Sequence, residues 1–342
     1  MEQTKRRVVV VIPTLNEAIT IERVLKQLSD DLPANCLVEF VVVDGGSTDG
    51  TPSIVGGLMT RQPNLQLLHN PHRIQSTAVN LAVRTFGHGA ELLVRCDAHA
   101  DYPIGFVRLL VETYDSMDVD SIVVPMDTVG THGVQAAVAM VSNSPIGTGG
   151  AAHRGGTKSG VVDHGHHALF RLDSFRRAGT YDETFTHNED AEFDCRLRAI
   201  GGRIFLNSAL RIRYYPRSTF SGLWRQYYNY GKGRARTVRR HPGSLRLRQL
   251  LVPSHIVTCA LGLAVSPWFP LALAPIASYV GVLAISSLWF TLKRRRVAGL
   301  LAGSAALTMH CAWAGGFIVG LMTARDRRWR PANLKSAEAH FV

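Results

Sequence analysis

The apolar run Leu92-Leu93-Val94-Arg95-Cys96 ends in Asp97-Ala98-His99, with Asp101 close behind. A buried strand has no packing use for a carboxylate and an imidazole at its end. Side chains at i and i+2 just past a strand can, however, turn toward one ion. With open positions left over, this pair suits Mg2+ or, more comfortably, Mn2+. Such an ion would bridge diphosphate oxygens and neutralise a leaving group. A second run, V-V-V-D-G-G-S-T-D-G-T at 41–51, closes on Asp44 and turns through Gly45, Gly46 and Gly50. An acid followed by a glycine-rich turn into a helix is a nucleotide-site arrangement, because glycines permit close backbone approach and a helix start favours an anion. Asp44 can accept hydrogen bonds from ribose hydroxyls or a base N–H. Asp49 falls where a helix cap would, and Asp44 comes too early for that. Neither G-x-G-x-x-G nor G-x-x-x-x-G-K-[ST] is present, which excludes a dinucleotide fingerprint and a P-loop.

Two further clusters carry chemistry. Glu189 and Asp190 stand just before a helix expected to begin near Ala191. One carboxylate within reach of a hydroxyl suffices to deprotonate it; the same acids also suit the cap and first turn of a helix. The stretch D-H-G-H-H at 163–167 is rich in histidine, but no Cys pair or H-E-x-x-H accompanies it. A dedicated zinc site is not expected there. His166 and His167 are read instead as lining an acceptor pocket or packing beneath it.

The elements that must position these groups form an alternating series. Short β-branched runs at 8–13, 38–44, 65–69, 92–97 and 121–125 read as strands. Between them, Ile19, Ile21, Val24, Leu25 and Leu28 make one helical face, Ile54, Val55 and Leu58 another, and Ile74, Ala78, Leu81 and Ala82 a third. Phe106, Leu109, Leu110 and Tyr114 make a fourth. Strands apolar on both sides, alternating with helices, imply an α/β fold: a mostly parallel sheet covered on both faces. Ligands of such sheets sit beyond the carboxyl ends of the strands, where the clusters at 13–17, 44–51 and 97–99 all fall. A Gly-, Ala-, Ser- and Thr-rich stretch follows at 126–160, including G-T-G-G-A-A-H-R-G-G at 147–156, and suits a mobile loop over a site. A short strand is expected near 204–206.

Charge and hydropathy set the context. The 342-residue chain has a formal net charge of +12, yet no acid occurs between Asp194 and Asp326. That region holds three apolar stretches, 250–267, 271–292 and 297–322, against the roughly 20 residues a membrane-spanning helix needs. Basic runs at 236–248, 293–296 and 325–330 all prefer the cytoplasm. Three full crossings cannot satisfy all of them, so one stretch is re-entrant or interfacial, or the last run is tolerated outside. Trp224–Arg240 interleaves aromatic and basic residues, a composition fit for nucleic acid or for a membrane interface and anionic lipid diphosphate. The adjoining apolar spans decide for lipid, and no nucleic-acid partner is expected. Five scattered cysteines argue for a reducing compartment, and the N-terminal apolar run is too short for a secretory signal.

The set V-I-P-T-L-N-E, V-V-V-D-G-G-S-T-D-G-T, D-A-H, N-E-D-A-E and the Tyr/Arg-rich segment resembles the inverting glycosyltransferases of family 2, which have the GT-A fold. Order and spacing match as far as Arg240. The D-A-H-A-x-Y-P and H-N-E-D-A-E segments most resemble the succinoglycan-type exopolysaccharide glucosyltransferases. The resemblance implies that Pro13, Asn16 and Glu17 hold the uridine end of a UDP-sugar with Asp44 beside it, and that Asn80 helps line the donor pocket. Asp97 and His99 take the D-x-D place and hold Mn2+ or Mg2+. His99 stands where the family commonly has Asp, leaving Asp101 as a further candidate, and Gly45 replaces a frequent second Asp. Asp190 of the E-D pair is the implied base, with Glu189 beside it. Arg225, Gln226 and Arg234 stand in the region of the family's Q-x-x-R-W helix, where they would hold the acceptor's diphosphate. That motif is incomplete here, which argues against a processive synthase. A non-catalytic nucleotide-sugar-binding membrane protein is the other alternative. The expected layout is a cytoplasmic GT-A domain at 1–220, a basic amphipathic segment at 221–249, two to three membrane helices at 250–322 and a tail at 323–342. Such a protein would sit in the inner membrane as a multi-pass enzyme and transfer a hexose, glucose by resemblance, to a polyprenyl-diphosphate-linked saccharide.

Overall fold

The computed structural model describes residues 5–149 and 157–330. In chain order the elements are β1 (Arg6–Thr14), α1 (Ile21–Ser29), β2 (Cys36–Asp44), α2 (Thr51–Met59), β3 (Leu65–His69), α3 (Gln75–Phe86), β4 (Leu92–Arg95) and β5 (Ala100–Asp101). Then come α4 (Phe106–Ser116), β6 (Ser121–Val124), β7 (Met126–Thr128), α5 (Gly133–Ser142), α6 (Pro145–Thr148), β8 (Gly160–Val161) and β9 (His166–Arg171). They are followed by α7 (Leu172–Arg177), α8 (Glu189–Ala199), β10 (Ile204–Leu206) and β11 (Ile212–Tyr214). The long helices α9 (Phe220–Arg240), α10 (Arg248–Val265), α11 (Ala274–Arg294) and α12 (Ala302–Thr323) complete the chain. Two compact units result: Met1–Met126, Gly156–Tyr214 and Trp329–Val342 form the first, Asp127–Gly155 and Tyr215–Arg328 the second.

The first unit is built on a sheet ordered β3-β2-β1-β4-β9-β6-β10-β8. The pairs β1–β2, β1–β4, β2–β3 and β6–β10 are parallel, and β9 runs antiparallel to both β4 and β6. Successive side chains of β1 alternate between two cores. Val8, Val10 and Ile12 join α1, α2 and α4 on one face, while Val9 and Val11 join α3, α7 and α8 on the other. All five are at most 1% exposed, and each such burial contributes roughly 1.5–3 kcal/mol. Strand order reverses on either side of β1, so the ends of β1 and β4 flank the switch point where ligands of open α/β sheets bind. Because β9 is antiparallel, its beginning rather than its end lies at this edge, and the register Val124↔His166, Val123↔His167 puts both histidines there. An irregularity between Ile122 and Val123 leaves Ala168 as an extra residue in β9. It places His167 on the same face as Phe170, three residues on, where a regular strand would point it the other way.

The stretch at 126–160 departs from the loop expected for it. Part of it is α5, whose Ala137, Val138 and Val141 pack with Leu223, Leu283 and Met309 in the second unit's core. Small apolar residues at helical spacing outweigh the Gly-rich composition there. The stretch also holds β7, α6 and the start of β8, and its residues 150–156 lie outside the described residues. In the second unit, α9 meets α12 through small residues. A Cβ at Gly231 would run into the Trp313 carbonyl, one at Gly316 into the Tyr228 carbonyl, and Gly320 faces Ala235. Small side chains four apart on each helix let the backbones approach this closely. Thr219 caps α9 by accepting from the Gly222 amide at 3.1 Å, and near the far end Arg236 and Arg240 meet Asp326. Among the described residues, three helical segments, Arg248–Val265, Pro270–Arg294 and Val297–Thr323, are long and apolar enough to cross a membrane. Leu251, Leu261, Val280, Ile285 and Leu292 are among the apolar side chains they leave exposed, a surface suited to lipid rather than water.

Candidate active site

The loop after β1 is tied to the loop after β2. Asn16, in the left-handed region at φ 59°, accepts from the Thr48 amide at 2.8 Å, and its own amide donates to Ser47 Oγ at 2.8 Å. Asp44 is 4% exposed, with Oδ2 accepting from the Gly46 and Ser47 amides and Oδ1 from Ser47 Oγ. It therefore organises its own turn. Asp49 serves the start of α2, accepting from the amide and hydroxyl of Thr51, and also accepts from the Ala18 amide. Pro13 lies beside Val43 in the β1–β2 register, one residue short of the edge.

Across the switch point, His99 Nδ1 lies 2.9 Å from Glu17 Oε1. Asp97 receives Arg95 at 3.2 Å and Gln75 Nε2 at 3.1 Å on Oδ1, with His166 Nε2 3.5 Å from Oδ2. Burial opposes its charge, but Arg95, His166 and His99 outweigh burial and hold its pKa at about 2. Burial brings His166 down to about 4, so its imidazole is neutral at physiological pH. Asp101 is placed differently: it lies in β5, paired with β11, and its carboxylate meets Arg23.

Asp190 arrives at the same edge from the first turn of α8. Asn188, at φ 68°, precedes the helix without a side-chain cap bond. The Asp190 carboxylate accepts two bonds from Arg95 Nη1, at 2.6 and 2.8 Å, and a third from the Tyr181 hydroxyl at 2.8 Å. One guanidinium thus bridges Asp97 and Asp190, residues 93 positions apart in the chain. Burial raises the Asp190 pKa, but Arg95, then His167 and His166, more than offset it and keep the acid well below the usual carboxylate range. Glu189 goes the other way: burial, then the charge of Asp190, lift it to about 7.

The remaining expected residues divide plainly. His167 is 0% exposed and packs among Phe170, Tyr181 and Phe193. Asn80 is 2% exposed, and its amide bonds the Tyr181 backbone on both sides and Glu183 Oε1. It ties down the segment that carries Tyr181. Arg225, Gln226 and Arg234 belong to the second unit. There Arg225 is exposed, Gln226 Nε2 donates to the Tyr230 hydroxyl at 2.9 Å, and Arg234 is held by Gln249 and the Ser244 carbonyl. Arg95 and Tyr181 were not singled out from the sequence. A lone arginine inside the apolar run at 92–96 is the signal for the first, since a buried cation requires a partner.

The donor set fits a hard divalent cation. Asp97 is held ionised beside the imidazole of His99, and oxygen and nitrogen donors of this kind suit Mn2+ or Mg2+. Among the described residues, no three His, Cys, Asp or Glu side chains are grouped to hold an ion by themselves. Such an ion would need oxygens from a bound diphosphate and water to complete its shell.

Comparison with known proteins bears on the family and the fold. Residues 9–179 match the family described as glycosyl transferase family 2, and residues 105–319 the one described as glycosyl transferase family group 2. The chain is 42% identical over 329 residues to the succinoglycan biosynthesis protein ExoA of Rhizobium meliloti (strain 1021), covering 95% of this chain and 98% of that protein. It is 22% identical to a dolichyl N-acetyl-alpha-D-glucosaminyl phosphate 3-beta-D-2,3-diacetamido-2,3-dideoxy-beta-D-glucuronosyltransferase of Methanococcus voltae, covering 92% of this chain and 96% of that one. Among solved structures, the mannosyltransferase PcManGT from Pyrobaculum calidifontis, in complex with GDP-Man and Mn2+, superposes with a TM-score of 0.63 at 20% identity. That match covers 94% of this chain and 88% of the other. The mostly parallel sheet with helices on both faces has the GT-A architecture expected from the motifs.

Proposed function

The chain belongs to glycosyl transferase family 2, and within that family we propose that it transfers glucose from UDP-glucose, with inversion, to a polyprenyl-diphosphate-linked saccharide in the assembly of a succinoglycan-like exopolysaccharide. The observation that carries this reading is the convergence of Asp97, His99 and Asp190 at the switch-point edge, with Arg95 bonded to both acids. Inversion requires one base on the face of the sugar opposite the departing nucleotide. Asp190 is an ionised carboxylate bonded to Arg95 Nη1, while Asp97 takes Nη2 of the same guanidinium. Held well below the ordinary range, it is a weak base in the resting site. It takes the acceptor's proton only as the new C–O bond makes that hydroxyl acidic, which places proton transfer in the transition state.

Asn16, Glu17 and Asp44, on the linked loops, hold the nucleoside end, with Pro13 behind them and Asp97 at the diphosphate. Mn2+ or Mg2+ held by Asp97 and His99 would supply positive charge to the departing diphosphate. Arg95 keeps Asp190 and Asp97 charged and separated. Glu189, which retains a proton near neutrality, spares the site a further negative charge. The apolar helices anchor the protein in the inner membrane with the first unit in the cytoplasm, and Arg225, Gln226 and Arg234 serve the lipid diphosphate. Membranes carrying the chain, given labelled UDP-glucose with and without Mn2+, test this reading. A metal-dependent, organic-extractable β-glucoside is expected. An α-linked product, or no labelled lipid, would contradict it.

A further inference from the structure

The D-H-G-H-H stretch has an assignment beyond packing. We propose that Asp190, Tyr181, His167, Asp194 and His164 form a proton relay, one hydrogen-bonded file that carries the acceptor's proton from the base to an imidazole at the surface. The proposal rests on Asp190 being the base. The Tyr181 hydroxyl lies 2.8 Å from Asp190 Oδ1 and 3.2 Å from His167 Nδ1. On the other side of the ring, His167 Nε2 is 2.7 Å from Asp194 Oδ1, and Asp194 Oδ2 is 2.6 Å from His164 Nδ1. Each step is within hydrogen-bond reach.

The middle of the file is sealed and its end is open. Tyr181, His167 and Asp194 are 2%, 0% and 1% exposed, whereas the His164 side chain is 34% exposed. Phe170, Phe175 and Phe193 surround the buried part and keep water from it. Satisfying a buried tyrosine needs one acceptor; an aromatic core has no need of two histidines and an aspartate in series. The bulge at Ala168 turns His167 into this core, and so sets the file's geometry.

A relay also answers a difficulty at Asp190. Two bonds from Arg95 make a neutral carboxyl there unfavourable, so a proton taken from the acceptor must move on. In the transfer step the acceptor oxygen bonds the anomeric carbon as the bond from that carbon to the diphosphate breaks, its electron pair leaving with UDP. The hydroxyl proton passes to Asp190. The Tyr181 O–H, which points at Asp190 in the resting site, swings toward an unprotonated His167 Nδ1, so that Asp190 yields its proton to the Tyr181 oxygen as Tyr181 gives its own to the ring. The resulting imidazolium lies between two carboxylates, and its charge is discharged through Asp194 to His164 and solvent. The charged groups facing His167 are Asp190 and Asp194 from α8 and Arg95 from β4, and the adjacent titratable His166 is neutral at physiological pH. Burial disfavours its protonation, but Asp194 and Asp190 outweigh burial and Arg95, so it holds a proton more firmly than an ordinary histidine.

The test uses the full chain in membranes, UDP-glucose and a polyprenyl-diphosphate hexose, with UDP binding measured alongside. Tyr181→Phe cuts the file next to the base and His164→Gln cuts it at the surface. For Tyr181→Phe we expect kcat to fall about tenfold or more, short of the roughly 10²–10⁴-fold that general-base catalysis supplies. KM for UDP-glucose should be unchanged and the solvent deuterium isotope effect larger than in wild type. His164→Gln should show a smaller fall that added imidazole restores. Wild-type kcat and isotope effect in both variants would overturn the relay, as would losses that only track weakened UDP binding. Asp190→Asn separates the two claims. If it transfers at the wild-type rate, the base assignment falls and the relay with it. If it is inactive with UDP binding intact while the file variants behave as wild type, the relay alone falls.

Discussion

Replacing Arg95 with Met removes the guanidinium but keeps a side chain of similar length. Arg95 is 5% exposed and bonds Asp190 twice and Asp97 once. Breaking a buried ion pair by deleting one partner costs about 3–5 kcal/mol, because the remaining charge is left uncompensated. Here two carboxylates are left. The sign of the contribution that Asp190 makes to the pH dependence should change as well. In wild type the folded-state pKa of Asp190 lies below its ordinary value of 3.8, so the pair's stabilisation is present above that value and lost on acidification through the folded value. In Arg95→Met the largest influence holding Asp190 down is gone, and burial takes over and raises it. Protonation then relieves the variant, which should gain more stability than wild type as pH falls from about 7 to 5, beyond the gain that Glu189 gives wild type over the same range. Denaturant unfolding of the detergent-solubilised chain over that pH range reads this directly. A cycle with Asp190→Asn should give a coupling energy within the roughly 0.5–3 kcal/mol typical of residues in one network, toward its upper end. Parallel pH profiles for wild type and Arg95→Met, with a coupling near zero, would refute the reasoning.

Other outcomes follow from the same geometry. Glu189→Gln removes a group whose folded-state pKa of about 7 exceeds its ordinary 4.5. Wild type loses that contribution as pH rises from about 4.5 to about 7, so its Tm should decline more than the variant's across that range and run parallel to it above about 7. His99→Ala should raise the Mn2+ concentration for half-maximal transfer about tenfold or more, and an unchanged requirement would remove His99 from the ion's shell. Gly316→Leu pushes a side chain into the Tyr228 backbone and should destabilise the chain by about 1–3 kcal/mol or more, whereas Gly281→Ala, with open space around its Cβ, should be nearly silent in thermal unfolding.

Much of the fold was readable because its signals are local. The β-branched runs at 38–44 and 65–69 end on the residues that end β2 and β3, and the expected strand at 204–206 is β10. The residues at which they stop, Asp44-Gly45 at β2, Asn70-Pro71 after β3 and Asn207-Ser208 after β10, are turn formers. The edge holding Asp44, Asp97 and His99 was legible for the same reason. What was not legible depends on long-range pairing. The strand β9 was not expected, since nothing within D-H-G-H-H-A-L-F-R announces that it inserts antiparallel between β4 and β6. Arg95 acquires meaning only from Asp190, 95 residues later, and Tyr181 only from the histidine and the carboxylate it joins. The helix at Gly133–Ser142 was hidden because alanine and glycine weigh little in a hydropathy pattern, although Ala136 and Ala137 are at most 2% exposed.

The central claim is that a lone, ionised Asp190 deprotonates the acceptor at the edge it shares with Asp97. The most direct measurement is single-turnover glucose transfer from UDP-glucose by Asp190→Asn, with UDP affinity determined on the same preparation. An amide keeps the shape and cannot take the proton. The account predicts a rate lower by about 10²–10⁴-fold with UDP affinity retained. Transfer at the wild-type rate would contradict it.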